Sequence, residues 1–172
     1  HCPIMSPLPE IRVPNPIGFT RPFRDCGMDL AGPFETVQTR GRARQKRYIC
    51  LFVCAATRAL HLEVLNSLSA NDLLKGIDRF LARRPRPDQF LSDNGTNFVR
   101  AEKELREAFK QVDKQQLQTA HPQIEWHFNA PVAPFQGGFW ERLVGVVKRA
   151  LYSMLPKYEL KDDDFITIVC RV

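Results

Sequence analysis

The sequence predicts a mixed α/β domain with a five-stranded sheet flanked by helices. Three strand-like segments follow one another between residues 23 and 65, and the connections between them are short. This arrangement is typical of an antiparallel meander. After residue 69, helical patterns alternate with short apolar strands, and a helix that crosses from one strand to the next implies parallel pairing. The 172 residues amount to about one domain with a real core.

Residues 1–22 differ from the rest of the chain in composition. They contain six of the thirteen prolines and show no apolar periodicity. Such a composition is typical of an extended, semi-rigid connector. The sequence therefore predicts a proline-rich extended linker (1–22) followed by a globular domain (23–172).

The first strand is predicted over residues 23–34, where large apolar residues alternate with small or polar ones. Because successive side chains point to opposite faces of a sheet, Asp29 should point away from the large apolar residues. Gly32-Pro33 is expected to end this strand.

Two more strands are predicted before the first helix. Residues 48–55 are apolar almost without interruption, which is typical of a central strand buried on both faces. Residues 60–65 alternate in the manner of a third strand. The basic segment 40–47 is then expected to be a hairpin connection.

Residues 69–84 have the pattern of a helix. Ser69 and Asp72 have the spacing of a capping box at its start, and Pro85 stops it. A short strand at 89–93 follows and should run parallel to the first strand. The apolar residues expected to face the core from this helix are Leu73, Leu74, Ile77, Phe80 and Leu81.

The remaining elements are predicted from apolar periodicity and from the positions of glycine and proline. They are, in order, a helix over 97–112, a polar surface loop over 111–123, a strand over 124–128, a loop over 129–138, a helix over 139–155 and the start of another helix at 162–164.

The net charge of +6 and the pI near 9.3 indicate a polyanionic partner, although a weakly basic balance alone is not specific. Basic residues cluster at 40–47 and at 83–86, and a solvated structural surface explains either cluster equally well. The five cysteines include no C-x-x-C pair, and those at 26, 50 and 54 are expected to be buried thiols in a reducing compartment. The sequence contains no run of about 18 apolar residues, so it predicts no membrane span.

Three acidic residues stand where chemistry is expected. Asp93 follows a predicted strand, and the carboxyl ends of strands are where α/β sheets bind ligands. Asp29 lies on the first strand, and Glu141 follows Gly137-Gly138 at the start of a predicted helix. Asp29 or Glu141 alone is more simply a solvated or helix-capping acid. Together, and in this order, they form a candidate constellation.

The predicted order of three strands, helix, strand, helix, strand and helix is the layout of the ribonuclease H-like fold. The motifs on this layout are Gly27-Met28-Asp29-Leu30-Ala31-Gly32-Pro33, Ile49-Cys50-Leu51-Phe52-Val53, His61-Leu62-Glu63, Ser92-Asp93-Asn94-Gly95-Thr96-Asn97-Phe98, Trp126-His127-Phe128-Asn129 and Gly137-Gly138-Phe139-Trp140-Glu141. As an ordered set, they make the chain resemble the integrase catalytic core of retroviruses and LTR retrotransposons, most closely that of the Bel/Pao class. The resemblance covers nearly the whole chain, and it implies a core truncated at its carboxyl end.

The resemblance implies a catalytic triad of Asp29, Asp93 and Glu141 that holds two Mg²⁺ (or Mn²⁺) ions. Two such ions activate an attacking oxygen and stabilise the leaving one in phosphodiester transfer, and Mg²⁺ prefers hard oxygen ligands. The implied activity is that of a metal-dependent polynucleotidyl transferase, which processes the 3′ ends of element DNA and joins them to target DNA by strand transfer.

The resemblance also implies where DNA binds. Lys148 lies about two helical turns after Glu141 on the same predicted face, where it could hold a phosphate. The residues expected to contact DNA are Asn94, Gln136, Gly137, Lys148 and Arg149. The implied partners are element and target DNA and, in the full-length protein, further copies forming a dimer or tetramer. The implied location is the nucleus, after a cytoplasmic pre-integration complex.

Two alternatives remain open. A ribonuclease H-like nuclease would place a further acid on the first helix, where this chain offers only Asp72 and Asp78. A catalytically silent or domesticated module would bind DNA or assemble with partners without reacting. His61 and His127 lie on strands beside carboxylates and are expected to be structural.

Overall fold

A computed structural model describes residues 21–38, 43–92, 114–128, 134–154 and 160–171. The strands are β1 (Asp25–Val37), β2 (Arg44–Cys54), β3 (Leu60–Leu65), β4 (Gln89–Ser92), β5 (Glu125–Phe128) and β6 (Leu160–Lys161). The helices are α1 (Ala70–Arg83), α2 (Lys114–Ala120), α3 (Pro134–Met154) and α4 (Asp162–Arg171). The helix predicted over 97–112 and most of the linker predicted over 1–22 lie outside these residues.

The strands form one mixed sheet in the order β3-β2-β1-β4-β5. β1, β2 and β3 pair antiparallel, whereas β4 and β5 run parallel to β1. The predicted mixed sheet flanked by helices is therefore confirmed. The two-residue β6, which pairs with the end of β1, is a sixth strand that was not predicted, because two residues carry no periodicity.

β1 does not end at Gly32-Pro33 as predicted but continues to Val37. The register with β2 shifts between Ala31 and Phe34, so the two intervening residues form an irregularity within a continuing strand. Gly32 has a φ of +124°, and a Cβ there would lie 3.0 Å from the carbonyl oxygen of Arg47. Glycine is thus required by both backbone conformation and close approach.

The two faces of the sheet carry separate apolar cores. The large apolar residues of β1 pack with α1 and α2 on one face, where Phe52 and Phe80 stack with ring centroids 4.3 Å apart. α3 and α4 cover the other face through Val144, Leu151 and Phe165. β2 contributes buried residues to both faces, as predicted, and the cysteines at 26, 50 and 54 are buried thiols. No described helix has the length and apolar character needed to cross a bilayer.

Helix α1 confirms its predicted start. The hydroxyl of Ser69 accepts a hydrogen bond from the backbone N–H of Asp72, and Leu73, Ile77 and Phe80 are buried as expected. The helix ends at Arg83, ahead of Pro85.

Two other boundaries were predicted wrongly. The polar segment 111–123 contains helix α2, which is held against the core by the fully buried Leu117. Helix α3 begins at Pro134 and includes Gly137-Gly138, where a loop was predicted. Proline suits the first turn of a helix. Packing of α3 on the sheet outweighs the cost of about 1 kcal/mol per helical glycine.

Asp162 connects α4 to the sheet through Arg47. The Arg47 guanidinium donates two hydrogen bonds to this carboxylate at 2.6 and 2.8 Å, and Thr36 Oγ1 donates a third at 3.2 Å. The Arg47 and Asp162 side chains are only 14% and 17% exposed. The hydrogen bond from Arg47 is the main reason that the pKa of Asp162 is lowered, and it outweighs the opposing effect of burial.

Asp162→Asn is expected to lower the free energy of unfolding at pH 7 by about 2 kcal/mol, because hydrogen bonds to a charged partner are lost. A carboxylate with a lowered folded-state pKa stabilises the fold above its ordinary pKa, near 4, and loses that effect as the pH falls through the folded value. Urea unfolding at pH 7 and pH 3 should therefore show a smaller difference between wild type and variant at pH 3. The matched control is Asp164→Asn, an exposed acid in the same turn. An equal difference at both pH values would contradict the prediction.

Candidate active site

Asp29 lies near the middle of β1, the strand with antiparallel β2 on one side and parallel β4 on the other. Its side chain points to the α3 face, away from the large apolar residues of β1, as the alternation predicts. Oδ1 accepts a hydrogen bond from the backbone N–H of Leu30 at 2.8 Å. Oδ2 lies 3.0 Å from the ammonium nitrogen of Lys148. Both carboxylate oxygens are therefore engaged.

Lys148 reaches Asp29 from helix α3. The neighbouring Val144, Val147 and Leu151 are buried against the sheet, so the helix backbone is fixed next to β1. The Lys148 side chain is 12% exposed and that of Asp29 is 15% exposed. The pair is therefore a largely desolvated contact between an acid and a base, in contrast to a surface ion pair.

Asp93 and Asn94 lie outside the described residues. β4 ends at Ser92, whose backbone pairs with Met28, and Asp93 is the next residue in the sequence. Glu141 lies on α3, seven residues before Lys148, which is about 10 Å along a helix. Its side chain is not among those the structure describes. The assignment of Asp93 and Glu141 as triad members therefore stays a prediction.

The other predicted DNA contacts lie on α3. Gln136 and Gly137 are in its first turn, so the loop in which they were predicted is replaced by helix. Arg149 is exposed on the helix surface. Tyr152, two residues before the end of α3, packs against β1, with its ring centroid 5.3 Å from that of Phe34.

Sequence reasoning missed the pairing of Lys148 with Asp29. The spacing from Glu141 indicated that Lys148 lies near the site, but only as a contact for DNA. The available signal was that Lys148 lies among the apolar residues Val144, Val147 and Leu151, which face the sheet. Its partner could not be identified without knowing how α3 packs on β1.

Both basic clusters of the sequence make contacts within the chain wherever the structure describes them. Arg47 pairs with Asp162, and Arg44 lies 3.7 Å from Glu35. In the second cluster, Arg83 contacts Glu63, Arg84 contacts His61, and Arg86 contacts Gln123. The structural interpretation of these clusters is therefore favoured, and neither is assigned to the site.

Glu63 is a buried acid on the sheet face opposite Asp29. It contacts His61 Nε2 at 2.7 Å, and Arg79 and Arg83 each donate to it at 2.8 Å. Burial acts to raise the pKa of Glu63, but the hydrogen bonds from His61 and Arg79 and the arginine charges outweigh it, so the pKa is lowered. The prediction that His61 is structural agrees with this position under α1.

This chain is similar to known proteins in its structure, whereas its sequence alone gives no match. No family model matches the sequence, and no curated protein matches it. The catalytic core domain of BIV integrase matches with a TM-score of 0.53 at 17% identity, covering 86% of this chain and 81% of that one. The HTLV-2 integrase catalytic core in complex with magnesium, in its trimeric form, matches with a TM-score of 0.52 at 16% identity, covering 87% and 83%. The chain has the fold of a retroviral integrase catalytic core.

The chemistry of the Asp29 carboxylate is compatible with binding of a divalent metal ion. Its Oδ2 already faces a cation, the Lys148 ammonium, and carboxylate oxygens are ligands that Mg²⁺ prefers. Among the residues that the structure describes, no three His, Cys, Asp or Glu side chains form a cluster that could hold a metal ion. The further ligands that the sequence predicts, Asp93 and the Glu141 side chain, lie outside that part of the chain.

Proposed function

We propose that this chain is the catalytic core of an integrase of the retroviral and LTR-retrotransposon class, of the Bel/Pao type. It processes the 3′ ends of element DNA and joins them to target DNA. The observation that supports this most strongly is the position of Asp29. On the central strand of an integrase-core fold, this carboxylate faces α3 and pairs there with a cationic group.

Asp29, Asp93 and Glu141 are the proposed ligands of two Mg²⁺ or Mn²⁺ ions. Bound ions would activate the attacking oxygen and stabilise the leaving alkoxide. The chain supplies a rigid frame, because Asp29 is fixed on a strand paired on both sides and its Oδ1 is oriented by the N–H of Leu30. The HTLV-2 core, which shares the fold, is described in complex with magnesium.

DNA is the proposed substrate and partner. Asn94, Gln136, Gly137, Lys148 and Arg149 are the proposed contacts to it. The exposed guanidinium of Arg149 can hold a phosphate, for which its planar fork is well suited. We further propose that the full-length protein acts as a dimer or tetramer in the nucleus, after a cytoplasmic pre-integration complex.

The contacts of helix α1 argue against a ribonuclease H-like site. Asp72 accepts a hydrogen bond from Ser67 Oγ at 2.6 Å, and Asp78 lies 3.1 Å from His121 Nε2. α1 packs on the sheet face opposite Asp29. Neither acid of α1 is therefore placed to share a metal ion with Asp29.

The test is cleavage and strand joining on branched DNA that carries element-like ends. We expect product with Mn²⁺ or Mg²⁺ and none in the presence of a chelator, because the reaction depends on bound divalent ions. Degradation of an RNA–DNA hybrid without DNA joining would support the nuclease alternative. Metal-independent DNA binding without any product would support the silent binding module and contradict the proposal.

A further inference from the structure

We propose that Lys148 is an internal counter-ion of Asp29, and that binding of a divalent ion releases its ammonium to DNA. The inference rests on the proposed function, because it takes Asp29 to be a metal ligand. It adds a coupling between metal binding and DNA binding that is built into this chain.

Both carboxylate oxygens of Asp29 already have a partner in the chain. Oδ1 accepts the Leu30 N–H, and Oδ2 faces the Lys148 ammonium at 3.0 Å. A divalent ion held by Oδ2 would be in direct contact with the oxygen that the ammonium now faces. The ammonium would then be within a few ångströms of a doubly charged ion in a largely water-excluded site, where like charges repel strongly. Metal entry therefore displaces Lys148.

The surroundings of Lys148 allow it to move without a change in the fold. The helix is anchored by Val147 and Leu151, which are buried on the sheet. The ammonium is carried on a flexible four-carbon stem, so it can shift by several ångströms while the backbone stays in place. Displaced from Asp29, it can bind a DNA phosphate at the edge of the same site.

This exchange makes the two binding events cooperative. A ligand shifts an equilibrium only through its different affinities for the two states, and here both ligands favour the state in which Lys148 has left Asp29. Coupling between sites is reciprocal. Metal should therefore tighten DNA binding, and DNA should tighten metal binding by the same factor.

The first measurement is the affinity for Mn²⁺ in the absence of DNA. Binding is detected as a decrease in the EPR signal of the free ion. Lys148→Met is expected to bind Mn²⁺ roughly tenfold more tightly than wild type, because the competing ammonium is gone. The matched control is Lys161→Met, which removes the same charge from an exposed position at the far end of β1. It should leave Mn²⁺ affinity unchanged. If thermal melting shows that the methionine variant is unfolded, Lys148→Gln takes its place, since glutamine can still donate to Asp29.

The second measurement is binding of a short duplex in a chelator. Asp29→Asn should tighten metal-free DNA binding because the Asp29 carboxylate no longer attracts the Lys148 ammonium. In the Lys148→Met background, the same substitution should have a smaller effect. This cycle separates release of Lys148 from the general loss of a negative charge.

The outcomes distinguish the two proposals. Mn²⁺ binding that depends on Asp29 but is unchanged or weakened in Lys148→Met would overturn the counter-ion inference and leave the proposed function standing. Equal effects of Asp29→Asn in both backgrounds would also overturn it. Absence of any Asp29-dependent Mn²⁺ binding, with or without DNA, would overturn the proposed function itself.

Discussion

Asp29→Asn is expected to lower metal-dependent DNA cleavage by at least ~10³-fold, because stabilisation by a bound metal contributes several kcal/mol and each 1.36 kcal/mol is tenfold in rate. Asparagine keeps the shape of the side chain and an oxygen that can accept the Leu30 N–H. It removes the negative charge that a divalent ion requires. The effect is measured as the initial rate of cleavage of branched DNA. Wild type and variant are compared at equal concentrations of folded protein.

Asp25→Asn is the matched control for this prediction. Asp25 lies on the same strand, four residues before Asp29, and therefore on the same face of the sheet. Its Oδ1 accepts a hydrogen bond from Gln89 Nε2 at 2.6 Å, a contact that the amide oxygen of asparagine can keep. We expect cleavage to stay within about twofold of wild type, as for most substitutions away from a site. Equal loss in both variants would show that the strand, and not the Asp29 carboxylate, had been disturbed.

The parts of the fold that the sequence predicted are those encoded by local periodicity. Alternation along β1 placed Asp29 on the face opposite the large apolar residues, and the position of Lys148 confirms that face. Ser69 marked the start of α1 as its N-cap residue, although the Ser69 N–H donates to Ser67 Oγ and not to Asp72 as a capping box requires. A helix between β3 and β4 predicted that β4 runs parallel to β1. Each of these features depends on residues that are close in sequence.

The features that the sequence did not reveal depend on partners distant in sequence. β1 continues past Gly32-Pro33 because its pairing with β2 resumes at Phe34 after a shift in register. The backbone atom that lies close to Gly32 is the carbonyl oxygen of Arg47. α2 forms where polarity indicated a loop, because one residue, Leu117, is buried in the core. The Asp29–Lys148 pair joins residues 119 positions apart and requires α3 to lie against β1. The roles of Asp93 and Glu141 stay predictions.

Glu63→Ala is expected to lower the free energy of unfolding by about 3 kcal/mol, near the lower end of the range for breaking a buried ion pair. The Glu63 side chain is 5% exposed and accepts from Arg79 and Arg83, whose own side chains are 40% and 59% exposed. Removing the acid leaves two guanidinium groups and the buried His61 without their shared acceptor. The arginines can regain some hydration, which is why the lower end applies.

Glu35→Ala is the control, since Glu35 and its partner Arg44 are both mostly exposed and 3.7 Å apart. Surface pairs of this kind contribute little, so its urea midpoint should match that of wild type. Glu63→Gln keeps the shape and one acceptor oxygen and should fall between Glu63→Ala and wild type. If the alanine variant unfolded at the wild-type midpoint, Glu63 would have no net stabilising role. The arginine–histidine cluster under α1 would then be held by packing alone, through Phe80 and its ring contacts with Phe52 and His61.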